Sequence, residues 1–285
     1  MKESGKTLPG WLIVALLLLV FVTMIMVVYW RLPVHVEWQP GVFSIGVDWK
    51  GTYRPAVQAF LHGKNPYDYN LQNPPWVILP LIPIALFPPA LGAAVMFVTG
   101  FFVYAFIAYR LSLKWWAILL FLINPYTFCA FVNGNTDWLV ALGFILPVPV
   151  GLFFLTIKPQ LTIGLLIFRL IESLRKGVRH TILTFGPVTV AWIISFIVYG
   201  FWPNKLVGER LSDPYNMSLF PTVLPVGAAL LFHAIRAGKP NAAISSSVFL
   251  TPYLSFHGYA IALLGLDSSL LAVAVVGIWL ARFLI

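Results

Sequence analysis

Asp48, in the stretch GVDWKGTYRPA, is the side chain best suited to take a proton from a reacting hydroxyl. It sits beside Trp49 and Tyr53 at the expected membrane surface, where partial desolvation favours general-base work. The plainer reading is a loop carboxylate capping the helix that follows. Lys158 is the second candidate, because it interrupts an otherwise apolar run and an ionisable group at membrane depth is functional by default. Its alternative is a lysine snorkelling to the interface from a short helix end. His257, in SFHGY, has the chemistry to bond an anion, although a lone His also serves as a packed polar residue. Asn133, Asn135 and Asp137 make a polar cluster that suits sugar-like hydroxyls, while the NGN sequence is equally good turn chemistry. Arg210, in GERLSD, is a further cation with Glu209 and Asp213 close by, the setting of a solvated ion pair. Tyr53, Tyr67 and neighbouring aromatics could stack on a ligand or form an interfacial belt.

These groups belong to a chain of 285 residues that is 60% hydrophobic and only 9% charged, with a mean hydropathy of +0.90. So little charge cannot cover a water-facing surface, which excludes a soluble enzyme, a disordered chain and a nucleic-acid binder. The expected class is an all-α polytopic membrane protein with membrane lipids around it. The single cysteine, Cys129, excludes an intrachain disulfide and a cysteine metal cluster. The histidines at 35, 62, 180 and 233 have no metal-ligand spacing, so neither cofactor nor metal is expected.

The apolar run from Trp11 to Trp30 has about the ~20 residues that cross a bilayer and is expected to be a first, uncleaved span. Residues 31–75 follow as the longest polar interval. NPPWVILPLIPIALFPPAL then carries too many prolines for a straight span and predicts short interfacial or re-entrant helices. Spans are expected at about 90–109, 115–131, 181–202 and 219–235. Residues 138–168 are expected in three pieces broken at Pro147, Pro149 and Pro159, and the last part of the chain in two or three passages. The expectation is one domain over 1–285 with roughly eight to ten helices and an outer loop at about 31–89. Placing the N-terminus, 110–114, 169–180 and 236–239 on one side puts ten cations there against Glu3 and Glu172. The other side holds six cations and six carboxylates. Positive-inside bias therefore predicts a cytoplasmic N-terminus, with Asp48 facing out of the cell.

The order D-W-x3-Y-x2-A-x4-L-x-G-x-N-P-Y, from Asp48 to Tyr67, resembles the first outer loop of GT-C-type glycosyltransferases. It is most similar to the polyprenyl-phosphate-mannose-dependent mannosyltransferases of family 87. The proline-pair segment after it, the NGNTDW turn, the Lys-Pro of TIKPQ and TPYLSFHGY are similar to later features of that family, in the same order. Asn135 stands where the family has Gln, with Asp137 at the following polar position, and the chain is shorter than typical members. The resemblance implies a GT-C-like bundle in the cell membrane that uses a polyprenyl-phosphate sugar, hexosyl or mannosyl, as donor. The acceptor would be a glycolipid, glycan or protein. Asp48 would act as base in an inverting displacement, and Lys158, His257, Arg210, Lys205 or Arg31 would steady the leaving phosphate. Asn135, Asp137, Tyr53 and Tyr67 would contact substrate. Two rival functions are a transporter or flippase of lipid-linked sugars and a non-catalytic assembly subunit.

Overall fold

Proline decides where many of the helices stop. The computed structural model describes residues 9–37, 43–204 and 214–284; the side chains of residues 11 and 282–284 are not among them. Among the described residues there is no strand. Helix α1 is Gly10–Arg31. The stretch after α1 then forms a π-helical turn at Trp49–Tyr53 that runs into α2, Arg54–Leu61, and a 3-10 turn at Pro66–Tyr69. A short helix α3, Ile78–Ala85, follows a 3-10 turn at Pro75–Val77 and leads into α4, Pro89–Arg110.

The span expected at 115–131 is two helices, α5 (Trp115–Ile123) and α6 (Pro125–Asn133), bent by 61°. Pro125 has no N–H to continue the ladder and holds Asn124 in extended backbone. Asn124 Oδ1 then caps α6 by accepting from the N–H groups of Tyr126 and Thr127, at 3.0 and 3.1 Å. The next stretch comes in the three pieces its prolines predict: α7 (Asp137–Leu142), α8 (Val148–Leu155) and α9 (Pro159–Arg175). Then come α10 (Val178–Tyr199), α11 (Leu224–Ala237), α12 (Pro240–Ser246), α13 (Tyr259–Leu264) and α14 (Ser268–Leu284). The fourteen α-helices among the described residues exceed the eight to ten expected, because proline and glycine divide several runs that hydropathy reads as one.

Helices α1, α4 and α10 are long and apolar enough to cross a membrane, and the bent α5–α6 pair gives a fourth if it acts as one span. Half of the apolar window of α4 is buried, against 6% for α1 and 17% for α10. The centre of the bundle is therefore α4, with α1 and α10 presenting apolar faces outward. Two hydrogen bonds and a cleft lined by both Lys239 and Asp267 bring the basic connections together at one end. Arg175 donates to the carbonyl of Ile235, and the N–H of Lys114 donates to Ser268 Oγ. The Trp49–Tyr53 turn, the α6–α7 turn and the segment before α13 come together elsewhere, where Asn135 bonds to Asp48 and approaches His257.

Candidate functional site

Asp48 is held by its neighbours, since its own side chain caps no helix. Gly46, at φ +78°, donates its N–H to the carbonyl of Val132 at 2.7 Å. A Cβ there would stand 2.5 Å from the Cβ of Ala93 on α4. Gly134, at φ +64°, ends α6 and leaves room for Trp49, which would lie 3.0 Å from a Cβ at 134. Lys50 completes the seat by donating to the carbonyls of Val34 and Val36 and to Ser44 Oγ. Three acceptors use all three N–H groups of this ammonium. The π-helical turn is the kind of backbone irregularity that collects at functional sites; nothing in the local sequence pattern announced it.

Five polar residues far apart in the chain meet here. Asn135 Nδ2 donates to Asp48 Oδ2 at 2.5 Å and lies 3.1 Å from His257 Nε2. Lys158 Nζ donates to Asn135 Oδ1 at 2.5 Å and to Asp137 Oδ1 at 2.7 Å. His257 Nδ1 is 2.6 Å from Asp137 Oδ2. The donors and acceptors can be assigned from chemistry. An ammonium can only donate, so Asn135 must turn its carbonyl to Lys158 and its amide hydrogens to Asp48 and His257. An ionised carboxylate can only accept, so the imidazole proton is on Nδ1 and Nε2 receives the second amide hydrogen. Every polar atom of the Asn135 amide is satisfied.

Asp137 is fully buried and Lys158 is 8% exposed. Lys158 is therefore not snorkelling; it forms a buried ion pair. Such a pair tolerates burial only while both partners and their hydrogen bonds are present. The cluster carries two carboxylates against one ammonium, and one N–H of Lys158 is not used by Asn135 or Asp137. Two clamps fix the backbone under Lys158. Asn73 Nδ2 donates to the carbonyl of Ile157 at 3.0 Å, and Trp76 Nε1 to that of Phe153 at 2.8 Å. Pro159 opens α9 and keeps Lys158 out of helical geometry (φ −137°, ψ 79°), as a residue before proline should be. His257 stands on a 3-10 turn, Phe256–Gly258, reached by the chain after Asn216 Oδ1 accepts from the N–H of Leu254.

Tyr53 packs beneath the site, where its buried hydroxyl accepts from Thr136 Oγ1 at 2.9 Å. Burial, partly offset by the Lys158 charge, pushes that hydroxyl above its usual range. Tyr67 stacks on Trp202 at 5.0 Å between ring centroids and donates to the carbonyl of Asn73. Its ring face is thus occupied by protein, and it supports the clamp beneath Lys158. Arg210 and Lys205 lie outside the described residues. Asn133 turns its Nδ2 to Cys129 Sγ, at 3.5 Å. Sequence reasoning did not find the Asp137–Lys158–His257 contacts. One signal pointed to them: in a chain so poor in charge, a buried lysine needs a buried carboxylate, and Asp137 opens an apolar helix.

A cleft of about 490 Å³ is lined by Val47 and Phe256, the chain neighbours of Asp48 and His257, and by Asn133; none of the five clustered residues lines it. Among the described residues no group of three or more His, Cys, Asp or Glu is placed to hold a metal ion. No family model, no curated protein and no solved structure matches this chain.

Proposed function

We propose that the protein transfers a sugar from a polyprenyl-phosphate donor to an acceptor hydroxyl at the outer face of the cell membrane. The observation that carries the reading is the Asp48–Asn135–Lys158 chain of hydrogen bonds. It joins a partly exposed carboxylate to a buried ammonium through one amide of fixed orientation. Asp48 takes the proton of the acceptor hydroxyl, whose oxygen attacks the anomeric carbon. The bond from that carbon to the phosphate oxygen breaks, and the phosphate leaves with the electron pair on the opposite face, inverting the centre. The uncommitted N–H of Lys158 is available to the leaving phosphate, where a preorganised cation acts on developing charge. Asn135 and Lys158 together hold Asp48 in place, so the base needs no reorganisation during transfer. The helical bundle is a GT-C-like, multi-pass membrane domain with a cytoplasmic N-terminus, and the acceptor is a glycolipid, glycan or protein.

A second reading has one observation in its favour. A buried Asp–Lys–His cluster in an apolar bundle is also what a transporter uses to move charge or a lipid-linked sugar. Turnover separates the two. Purified protein in lipid should release polyprenyl phosphate and glycosylate an acceptor mixture from a polyprenyl-phosphate sugar with no nucleotide sugar present. Movement of the lipid-linked sugar between leaflets with no cleavage would establish the transporter and refute transfer.

A further inference from the structure

His257 has no ring nitrogen to spare. Nδ1 donates to Asp137 Oδ2 at 2.6 Å, with Ser255 Oγ 3.4 Å away, and Nε2 receives an amide hydrogen of Asn135 at 3.1 Å. A buried imidazole so placed has nothing left with which to hold a substrate phosphate. It does decide how Asn135 stands. Its unprotonated Nε2 is one of three partners that fix the amide, the others being Asp48 and Lys158. The charged side chains that face the ring are Asp137 directly and, across Asn135, Asp48 and Lys158. Helices α6 and α13, which pack against the 3-10 turn, bring Tyr126, Cys129 and Tyr259 and no carboxylate, cation or second histidine.

We propose that His257 is a positioning residue that works only when neutral: through Asn135 it aims the Asp48 carboxylate, and a second proton on its ring releases Asp48 and switches transfer off in acid. The proposal rests on the reading above, with Asp48 as base, and adds how that site responds to the medium it faces. The argument is one of donors and acceptors. A charged imidazole presents an N–H from Nε2 to the N–H of Asn135, so two donors face each other. Turning the amide over does not help, because its carbonyl then faces the Asp48 carboxylate and its hydrogens face the Lys158 ammonium. No orientation of Asn135 serves all three partners once His257 is charged. Lys158 is not free to leave, being buried and paired with Asp137 at 2.7 Å. Asp48 is partly exposed, so solvent can replace Asn135 as its donor. Asp48 is therefore the partner that goes.

Two measurements on the full-length protein in lipid nanodiscs test this. The first is the pH profile of single-turnover transfer from a polyprenyl-phosphate sugar. The unaltered protein should lose about tenfold in rate from about pH 8 to about pH 5, a range over which histidine changes charge and ordinary carboxylates do not. His257→Ala, which offers Asn135 no acceptor, should be slow throughout that range. His257→Gln offers Asp137 a donor and Asn135 an acceptor separated by one carbon, as the ring nitrogens are, yet takes up no proton. It should recover most of the rate lost in His257→Ala and vary less than about twofold over the same range. His62→Gln, at an exposed position, should leave the acid loss in place. An equally steep loss in His257→Gln would put the titration on another group, Asp48 included, and overturn the proposal. A folded His257→Gln as slow as His257→Ala would also overturn it, because the imidazole would then do more than an amide can. The second measurement needs no turnover. Nitrogen NMR of protein labelled in its histidines, with the His257 signals assigned by their loss in His257→Gln, should show the Nδ1–H tautomer at about pH 8. An Nε2–H tautomer would overturn the proposal. The Nδ1–H tautomer in a protein that cleaves no donor would leave His257 orienting Asn135 and refute transfer.

Discussion

Asn135 is the residue on which the site turns, because its carbonyl faces Lys158 and its two amide hydrogens face Asp48 and His257. Beneath it, Asp137 and Lys158 hold each other's charge in the interior. Removing either partner alone leaves a buried charge without compensation. Asp137→Asn and Lys158→Met should each destabilise the fold by about 3–5 kcal/mol. The double variant should cost at least ~2 kcal/mol less than the sum, which thermal unfolding in detergent can measure. Additive losses would mean that the two side chains do not interact in the folded protein. At this scale the sequence was legible in residue type: Asp48, Asn135, Asp137 and His257 stood out by their chemistry, and Lys158 as a charge inside an apolar run. Their partnership was not legible. His257 and Asp137 are 120 positions apart, and no local period encodes which distant residues a bundle brings together. The capping alternative for Asp48 and the snorkelling alternative for Lys158 do not hold, since one caps nothing and the other is buried.

The elements that place Asp48 depend on backbone that only glycine adopts easily. Gly46 and Gly63 make a matched pair, with φ of +78° and +69°. Alanine at Gly63 meets nothing within 4 Å, so it pays only the left-handed strain of roughly 1–2 kcal/mol. Alanine at Gly46 adds a clash with Ala93 on α4, worth about 1–3 kcal/mol more. Gly46→Ala should therefore lower the unfolding temperature clearly more than Gly63→Ala and displace Asp48 as well; equal shifts would show that the Gly46–Ala93 contact is not tight. Helix breaks were legible from proline at Pro147 and Pro159. The 61° bend between α5 and α6 escaped because hydropathy stays high across Asn124–Pro125, and a buried Asn there acts as a cap. The π-helical turn at Trp49–Tyr53 left no trace in periodicity; within it Trp49 packs so closely on Gly92 of α4 that a Cβ there would meet its ring.

Across the whole molecule, the all-helical class follows from composition, and the charge bias of the loops agrees with the way the structure gathers 110–114, 175 and 235–239 at one end. Side of the membrane is a separate matter, and labelling decides it. With Cys129 replaced by Ala, a cysteine at the exposed position of Lys64 should react with an impermeant thiol reagent in intact cells. One at Arg179 should not. The reverse pattern would turn the cluster to the cytoplasm, where a nucleotide sugar could serve, and would remove the reason for a lipid donor. The central claim concerns a proton at Asp48, and one variant tests it most directly. Asn at 48 keeps the size of the side chain and can still accept from Asn135, so the fold and donor binding should survive. It cannot take the acceptor's proton, and loss of a general base costs ~10²–10⁴-fold in rate. The measurement is single-turnover sugar transfer from a polyprenyl-phosphate donor by Asp48→Asn, beside Asp68→Asn at an exposed loop position. The account predicts a loss of that size for Asp48→Asn with donor affinity unchanged, and turnover near that of the unaltered protein for Asp68→Asn; near-native turnover by Asp48→Asn would contradict it.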